Sequence, residues 1–129
     1  MAPEESQYPL DWLHIAERDF SRVERLLDID DAQAAGFFLQ QAIEKFLKAY
    51  LLSKGWRLRR IHDLEVLLNE AVKYDESFDA FRESCQTITT FYIIDRYPVM
   101  TNVELSNDDI FKLMDQVGLL IVRIREAIR

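Results

Sequence analysis

The sequence predicts an all-α fold, an antiparallel up-and-down helical bundle of four long helices and one shorter helix. Apolar residues recur at steps of three and four along nearly the whole chain, which is the period of amphipathic helices. Only three glycines and three prolines occur in 129 residues, too few for the frequent turns of an all-β protein. This length predicts a single domain, residues 1–129, whose core needs no disulfide or metal.

The first predicted helix extends from Pro9 to Leu27. Pro9 fits the first turn, where a missing amide removes no helical hydrogen bond, and Asp11 adds the negative charge that suits a helix N-terminus. The apolar positions of this helix are Leu13, Ala16, Phe20, Val23 and Leu27.

The second predicted helix begins near Asp31, a good N-cap, and continues to about Lys54, where Gly55 allows the chain to reverse. Its broad apolar side carries Phe38, Leu39, Ala42, Ile43, Phe46, Leu47 and Tyr50. The opposite side carries a polar row with a spacing of four residues, Gln40, Glu44 and Lys48. This row is either a solvated helix face or a polar lining that faces a ligand or partner.

Two further helices are predicted before the last loop, a short third helix over Asp63–Lys73 and a long fourth helix over Ser77–Asp95. The fourth contains a β-branched segment around Thr87, but its apolar spacing still favours a helix because packing outweighs propensity. Pro98 predicts that it ends near Arg96. The apolar positions of the fourth helix are Phe78, Phe81, Cys85, Ile88 and Tyr92.

A linker over residues 99–105 precedes the fifth predicted helix. Ser106 is its expected N-cap, and Asp108 and Asp109 place negative charge in its first turn. Its long apolar stripe comprises Ile110, Leu113, Met114, Val117, Leu120, Ile121, Ile124 and Ile128.

The composition excludes several classes of site. A single cysteine, Cys85, allows neither an intrachain disulfide nor a thiolate zinc site, and it fits the core as a small apolar residue. The two histidines, His14 and His62, lack metal-ligand spacing, so we expect no metal and no cofactor. The acidic amino terminus is unlike a signal peptide and no apolar run is long enough to span a membrane, so we expect a cytoplasmic protein.

Positive charge is concentrated in one part of an acidic chain. Residues 45–62 contain six Lys or Arg and no Asp or Glu, which leaves a charge of −13 on the remainder of a chain whose total is −7. The densest part includes Trp56, an aromatic face beside arginines that can bind phosphate. These cations predict an anion or nucleotide site at the end of the second helix, or they merely favour the helix C-terminus. They are Lys45, Lys48, Lys54, Arg57, Arg59 and Arg60.

Two short motifs carry further candidate residues. His62 and Asp63 open the third helix, either as a capping arrangement or with His62 as a proton-transfer group. Arg96 and Tyr97 close the fourth helix, where the arginine can bond the last carbonyls or, with the tyrosine, contact a phosphate and a base.

These motifs resemble those of the HEPN domain family, whose name abbreviates higher eukaryotes and prokaryotes nucleotide-binding. The resemblance covers nearly the whole chain. It rests on Gln40-Gln-Ala-Ile-Glu-Lys-Phe-Leu-Lys-Ala, then Gly55, then His62-Asp-Leu, then Asp95-Arg-Tyr-Pro. It implies an antiparallel helical bundle, matching the periodicity. It also implies that the nucleotide or phosphate site uses Gln41, Glu44, Lys48, His62, Asp63, Arg96 and Tyr97.

The resemblance implies three possible functions. The first is a non-catalytic nucleotide-binding or interaction module, a homodimer that partners a minimal nucleotidyltransferase in a toxin–antitoxin type pair. The second is a metal-independent ribonuclease toxin, because Arg57 and His62 match the family's spacing of an Arg, four to six residues, then a His. That motif usually belongs to a later helix, and no His follows Arg96. The third is a structural partner subunit without a ligand.

Overall fold

A computed structural model describes residues 6–97 and 104–128, apart from the side chain of Asp95. All regular structure in these two ranges is helical, which confirms the all-α prediction. A 3₁₀ helix over Glu76–Phe81 separates the third α-helix from the fourth. The α-helices are α1 (Pro9–Asp28), α2 (Ala32–Ser53), α3 (Leu64–Val72), α4 (Arg82–Thr89), α5 (Phe91–Arg96) and α6 (Asn107–Ile128).

The structure has three long helices, α1, α2 and α6, rather than the four predicted. The segment predicted as a long fourth helix is divided into the 3₁₀ helix, α4 and α5. At the second break the hydroxyl of Thr90 donates to the carbonyl oxygen of Thr87 at 2.7 Å, a local bond that competes with helix continuation. The break between α4 and α5 is slight, because Thr90 keeps helical dihedral angles (φ −66°, ψ −22°) and the Ile94 amide still donates to its carbonyl oxygen at 3.1 Å.

The long helices α1 and α2 pack antiparallel. Asp19 in the middle of α1 is buried and forms an ion pair with Lys45 at 2.5 Å. Further towards the start of α1, the Lys48 ammonium lies 5.3 Å from the Trp12 ring. The last helix, α6, is antiparallel to α1 as well, because Asn107 at its start donates to the carbonyl oxygen of Leu27 at the end of α1.

The second helix, α2, is the centre of the bundle, with α1, α3, α5 and α6 packed around it. Apolar side chains with no exposed surface, such as Leu39, Ile43 and Phe46, lie on its core side. Gly36 lies where α2 approaches the other helices closely, since an added Cβ would come within 3.0 Å of the Leu105 side chain. A helix enclosed in this way buries its polar face together with its apolar one.

The connector between α2 and α3, residues 54–63, returns along α2, so α3 runs in the same direction as α2. Two contacts show this direction. Gln40, in the first half of α2, bonds the carbonyl oxygen of His62 just before α3. Tyr50, near the end of α2, contacts the Phe78 ring beyond α3, with centroids 4.6 Å apart. Gly55 opens the reversal with a φ of +88°, a conformation that glycine adopts without strain. The up-and-down antiparallel prediction therefore fails for this pair of helices.

The predicted starts of the first, second, third and fifth helices are confirmed, whereas the start predicted at Ser77 lies in the 3₁₀ helix and the α-helix begins only at Arg82. Asp31 caps α2 by accepting from the Ala34 amide, and Asp63 caps α3. Ser106 and Asp109 cap α6 reciprocally, each side chain accepting from the other residue's amide. Pro98 and residues 99–103 of the predicted linker lie outside the described residues.

None of the helices within residues 6–97 and 104–128 combines the length and apolar character that a membrane-spanning segment requires.

Candidate functional site

A buried carboxylate, Glu44 on α2, is the centre of a polar network. Its Oε1 accepts from Gln40 Nε2 at 3.2 Å and lies 3.0 Å from Nδ1 of His62. Its Oε2 accepts from Lys48 Nζ at 3.1 Å. We call Gln40, Glu44, Lys48 and His62 the Glu44 cluster. Within the described part of the chain no buried polar side-chain atom lacks a hydrogen-bond partner, and this includes those of Gln40, Glu44 and Lys48.

The polar row on α2 is therefore not a solvated helix face. Gln40 has no exposed surface, and Glu44 and Lys48 are each only 3% exposed. The charge of Lys48 is opposed by the Glu44 carboxylate at a site from which water is excluded. A lysine in this position stabilises its partner and has little access to a phosphate arriving from solvent.

His62 joins the buried cluster to the protein surface. The inner nitrogen, Nδ1, faces Glu44, while 55% of the side chain remains exposed. Gln40 Nε2 also donates to the backbone carbonyl oxygen of His62 at 3.1 Å, which fixes the end of the connector against α2. The next residue, Asp63, accepts from the amides of Glu65 and Val66, and so acts as the N-cap of α3.

A stack of aromatic rings extends from His62. The imidazole lies 5.2 Å from the Tyr92 ring at an interplanar angle of 11°, and Tyr92 in turn stacks on Phe37 at 6.3 Å. Arg96 donates to the Tyr92 hydroxyl at 2.8 Å, and its guanidinium lies 5.0 Å from the ring centroid. We call His62, Tyr92 and Arg96 the His62 surface. It presents a half-exposed imidazole and an exposed arginine around one shared ring.

The sequence-predicted site residues are only partly brought together. Glu44, Lys48 and His62 form one network, and Arg96 reaches it through Tyr92. Gln41 is one step removed, because its amide donates to Gln40 Oε1. Tyr97 follows α5 and is half exposed, with no contact to the cluster among the described residues.

The six cations of residues 45–62 do not converge on one hollow. Lys45 turns to Asp19 and Lys48 to Glu44, and Arg59 forms an ion pair with Glu70 at 3.5 Å. Arg57 is exposed, and no described residue forms an ion pair or hydrogen bond with it, His62 included. Four of the six cations that predicted a basic pocket are thus separately neutralised or solvated.

Sequence reasoning missed Tyr92 as part of the site, and it offered Gln40 only as a member of the polar row. Tyr92 follows the apolar spacing of its segment and was assigned to the core, yet it stands four residues before Arg96, on the same helix face. That spacing was the available signal. Gln40 belongs to the polar row, but nothing local in the sequence indicates that its amide meets a backbone carbonyl 22 residues away.

A separate groove of about 890 Å³ lies between α4–α5 and α6. Apolar side chains such as Phe81, Phe91 and Leu113 contribute to its lining, and none of the predicted site residues does. The groove's polar groups bond one another, as Ser84 and Gln116 do at 2.9 Å.

Buried Cys85 is not a nucleophile, because desolvation raises the pKa of its thiol to about 12. Across the described ranges no three His, Cys, Asp or Glu side chains are grouped to hold a metal ion.

The comparisons with known proteins place the chain in a family. A family model of the HEPN domain matches residues 10–126, nearly the whole chain and every helix described above. The comparison with curated proteins and the comparison with solved structures each found no significant match. The match covers the Glu44 cluster and the His62 surface alike, and the protein belongs to the HEPN domain family.

Proposed function

We propose that this HEPN protein is a nucleotide-binding module whose ligand lies on the His62 surface. One observation carries the proposal: a half-exposed imidazole, oriented by a buried carboxylate, is stacked on a tyrosine whose hydroxyl holds an exposed arginine. An arginine supplies several donors in a fork that suits phosphate oxygens, and aromatic rings supply a face for a base. Family membership supports the same class of ligand.

The chemistry assigns a part to each residue of the His62 surface. Arg96 contacts the phosphate, since among the described residues only Tyr92 engages one of its donors. The base of the ligand stacks on the half-exposed His62 ring, which itself stacks on Tyr92 and, through it, on Phe37. Glu44 and Lys48 support the imidazole from beneath and do not touch the ligand in this proposal.

A titration with adenosine 5′-monophosphate, followed by NMR of backbone and imidazole resonances, tests the proposal. We expect shifts that saturate at millimolar ligand and are concentrated on His62, Tyr92 and Arg96. Arg96→Gln should weaken binding at least about tenfold, because it removes a charge-assisted hydrogen bond worth about 1.5–3 kcal/mol. Arg18→Gln, an exposed arginine on α1, is the matched control and should bind like wild type.

Two results of the titration would contradict the proposal. One is the absence of any saturable shift with adenosine, guanosine, cytidine and uridine monophosphates. The other is saturable binding whose shifts avoid the His62 surface and which Arg96→Gln leaves unchanged.

A ribonuclease is the second candidate, and the Glu44–His62 contact favours it. A carboxylate that orients one imidazole nitrogen leaves the other directed outward for general acid–base work, while an arginine stabilises charge on a phosphorus centre. Arg96 fits that part better than Arg57, because it is joined to His62 through Tyr92.

RNA cleavage in EDTA separates the two candidates. Cleavage that His62→Ala abolishes and that Arg57→Gln leaves intact would assign a metal-independent ribonuclease to the His62 surface. Binding of the nucleotide without cleavage of several unrelated RNAs would support the binding module and refute the ribonuclease.

We also propose that the protein is a homodimer and that it partners a minimal nucleotidyltransferase in a toxin–antitoxin type pair. The physical support is a set of exposed apolar side chains on α6, Phe111, Leu119 and Val122, on the face turned away from the core. Gly118 lies between them, and an added Cβ there would meet no atom within 4 Å. Such a face is open to another helix.

Light scattering coupled to size-exclusion chromatography measures the oligomeric state, and co-expression with a nucleotidyltransferase reading frame adjacent to the gene tests the partner. We expect a dimer that Leu119→Glu converts to a monomer, while the solvent-facing Glu24→Gln on α1 has no effect. A wild-type monomer would contradict the dimer. Failure to copurify would contradict the partnership.

A further inference from the structure

We infer that Glu44 is a positioning residue that holds neutral His62 in the Nδ1–H tautomer, so that the outward Nε2 is a hydrogen-bond acceptor. The ligand consequence, a hydroxyl or amino group placed against Nε2, rests on the proposed function. The tautomer itself does not, because it follows from contacts inside the protein.

The charge of Glu44 follows from the groups that surround it. Its side chain is 4% exposed and accepts from the ammonium of Lys48 through Oε2 and from the amide of Gln40 through Oε1. Both neighbours are donors, which stabilise an ionised carboxylate and offer nothing to a carboxylic proton. Glu44 therefore meets its third neighbour, His62, as an ionised acceptor.

The orientation of Gln40 also follows from its neighbours. Its Oε1 accepts from Gln41 Nε2 at 2.7 Å, and its Nε2 lies against two oxygens, one on Glu44 and one on the backbone of His62. A flipped amide would direct oxygen at both of those oxygens, so the orientation is set by chemistry. Gln40 thereby holds the carboxylate and the histidine backbone in one fixed relation.

The tautomer of His62 follows from its contact with Glu44. Nδ1 of His62 lies 3.0 Å from Glu44 Oε1, and a carboxylate can only accept, so Nδ1 carries the hydrogen. In the neutral ring Nε2 then holds the lone pair. More than half of the side chain is exposed, so this lone pair is available to a donor on a ligand. The Glu44 cluster thus selects for a hydroxyl or amino group beside the phosphate that Arg96 attracts.

Long-range ¹H–¹⁵N NMR spectra of the imidazoles identify the tautomer without any ligand. At the alkaline end of a pH series, where the rings are neutral, we expect His62 in the Nδ1–H form by at least about tenfold, from the strength of a hydrogen bond to a charged group. His14 is an internal reference, because it is exposed and no described residue hydrogen-bonds its ring. A wild-type His62 in the Nε2–H form overturns the inference by itself.

Glu44→Gln should convert His62 to the opposite tautomer with almost no change in the shape of the substituted side chain. The Lys48 ammonium demands an oxygen, so the new amide turns its oxygen to Lys48 and its NH₂ to His62 and Gln40, and Gln40 keeps its bond to the His62 carbonyl oxygen. His62 Nδ1 must then accept, and the ring converts to the Nε2–H form. Glu65→Gln is the matched control, since it is the same substitution on α3 at a carboxylate bonded to Arg82 and Gln86. It should leave the His62 spectrum unchanged.

The outcomes separate this inference from the proposed function. A purely structural Glu44 would lower the melting temperature of Glu44→Gln without converting the tautomer, which overturns the inference. If Glu44→Gln does not fold, the wild-type spectrum still decides. A confirmed tautomer with no nucleotide binding would refute only the proposed function.

Discussion

Two regions of this molecule carry cations in unequal surroundings. The connector between α2 and α3 holds Arg57, Arg59 and Arg60 in exposed positions, and it stands out in the sequence because of its charge. The Glu44 cluster holds Lys48 in a buried position, and it stands out only in three dimensions. In this protein the segment of highest charge density in the sequence is exposed to solvent, whereas the residues that organise the site are buried.

The largest expected difference between the two regions is in stability. Lys48→Met removes the cation of a buried pair and leaves Glu44 charged and uncompensated, so we expect the free energy of unfolding to fall by about 3–5 kcal/mol. Arg57→Met in the connector should change it by less than about 0.5 kcal/mol. Urea unfolding of the two variants measures both values. Equal losses would mean that the connector is as important to the fold as the cluster.

The buried thiol of Cys85 gives an independent measure of the same contrast. The thiol is inaccessible and its raised pKa, about 12, keeps it protonated, so it reacts with a disulfide reagent only when the fold opens. We expect Lys48→Met to accelerate the reaction about 100- to 4,000-fold, since each 1.4 kcal/mol lost is a factor of ten in the open population. Arg57→Met should react at the wild-type rate. Similar rates in both variants would show that Cys85 becomes accessible by a local opening unrelated to the cluster.

A smaller effect is expected in the connector, from its backbone rather than its charges. Gly55 has a φ of +88°, and an alanine there is strained although nothing crowds its Cβ. We expect Gly55→Ala to lower the free energy of unfolding by about 1 kcal/mol. Gly118→Ala, made in the Leu119→Glu background so that no partner helix covers α6, should raise it by about 0.5–1 kcal/mol. Thermal unfolding followed by circular dichroism detects the opposite signs, and a shift of the same sign in both would contradict the assigned backbone conformations.

The smallest expected effect is a dependence of stability on pH at the start of α6. Asp109 caps α6, and its hydrogen bonds with Ser106 lower the pKa of the carboxyl group. A lowered folded-state pKa gives stability that is present above the unfolded value and is lost as the pH falls through the folded one. Asp109→Asn should therefore reduce the melting temperature at neutral pH slightly and lose its effect in acid. A deficit that persists unchanged at low pH would assign the loss to the cap geometry rather than the charge.

Periodicity predicted the helices well where packing and local bonding agree. α1, α2 and α6 begin within a residue of their predicted starts, because Asp31 and Ser106 satisfy the first amides and Pro9 suits the first turn. The fourth predicted helix has a slight break at Thr90, where a hydroxyl bonds the backbone three residues earlier. Spacing alone does not encode that competition.

The sequence predicted which residues form the candidate site better than it predicted what each of them does. Glu44, Lys48 and His62 do meet, but the sequence could not show that α2 is enclosed by other helices, and burial changes what a lysine does. Lys48 was expected to contact a phosphate and instead neutralises a carboxylate. Tyr92 was counted among core residues because its ring is apolar, although its hydroxyl holds Arg96 at the surface.

The most direct test of the account compares nucleotide affinity in the two regions. Calorimetric titration of wild type, Arg96→Gln and Arg57→Gln with adenosine 5′-monophosphate at fixed salt gives three dissociation constants. Arg96→Gln should raise the constant at least about tenfold, and Arg57→Gln should raise it less than about twofold. The reverse order, with affinity lost at Arg57 and retained at Arg96, would place the ligand on the basic connector and contradict the account.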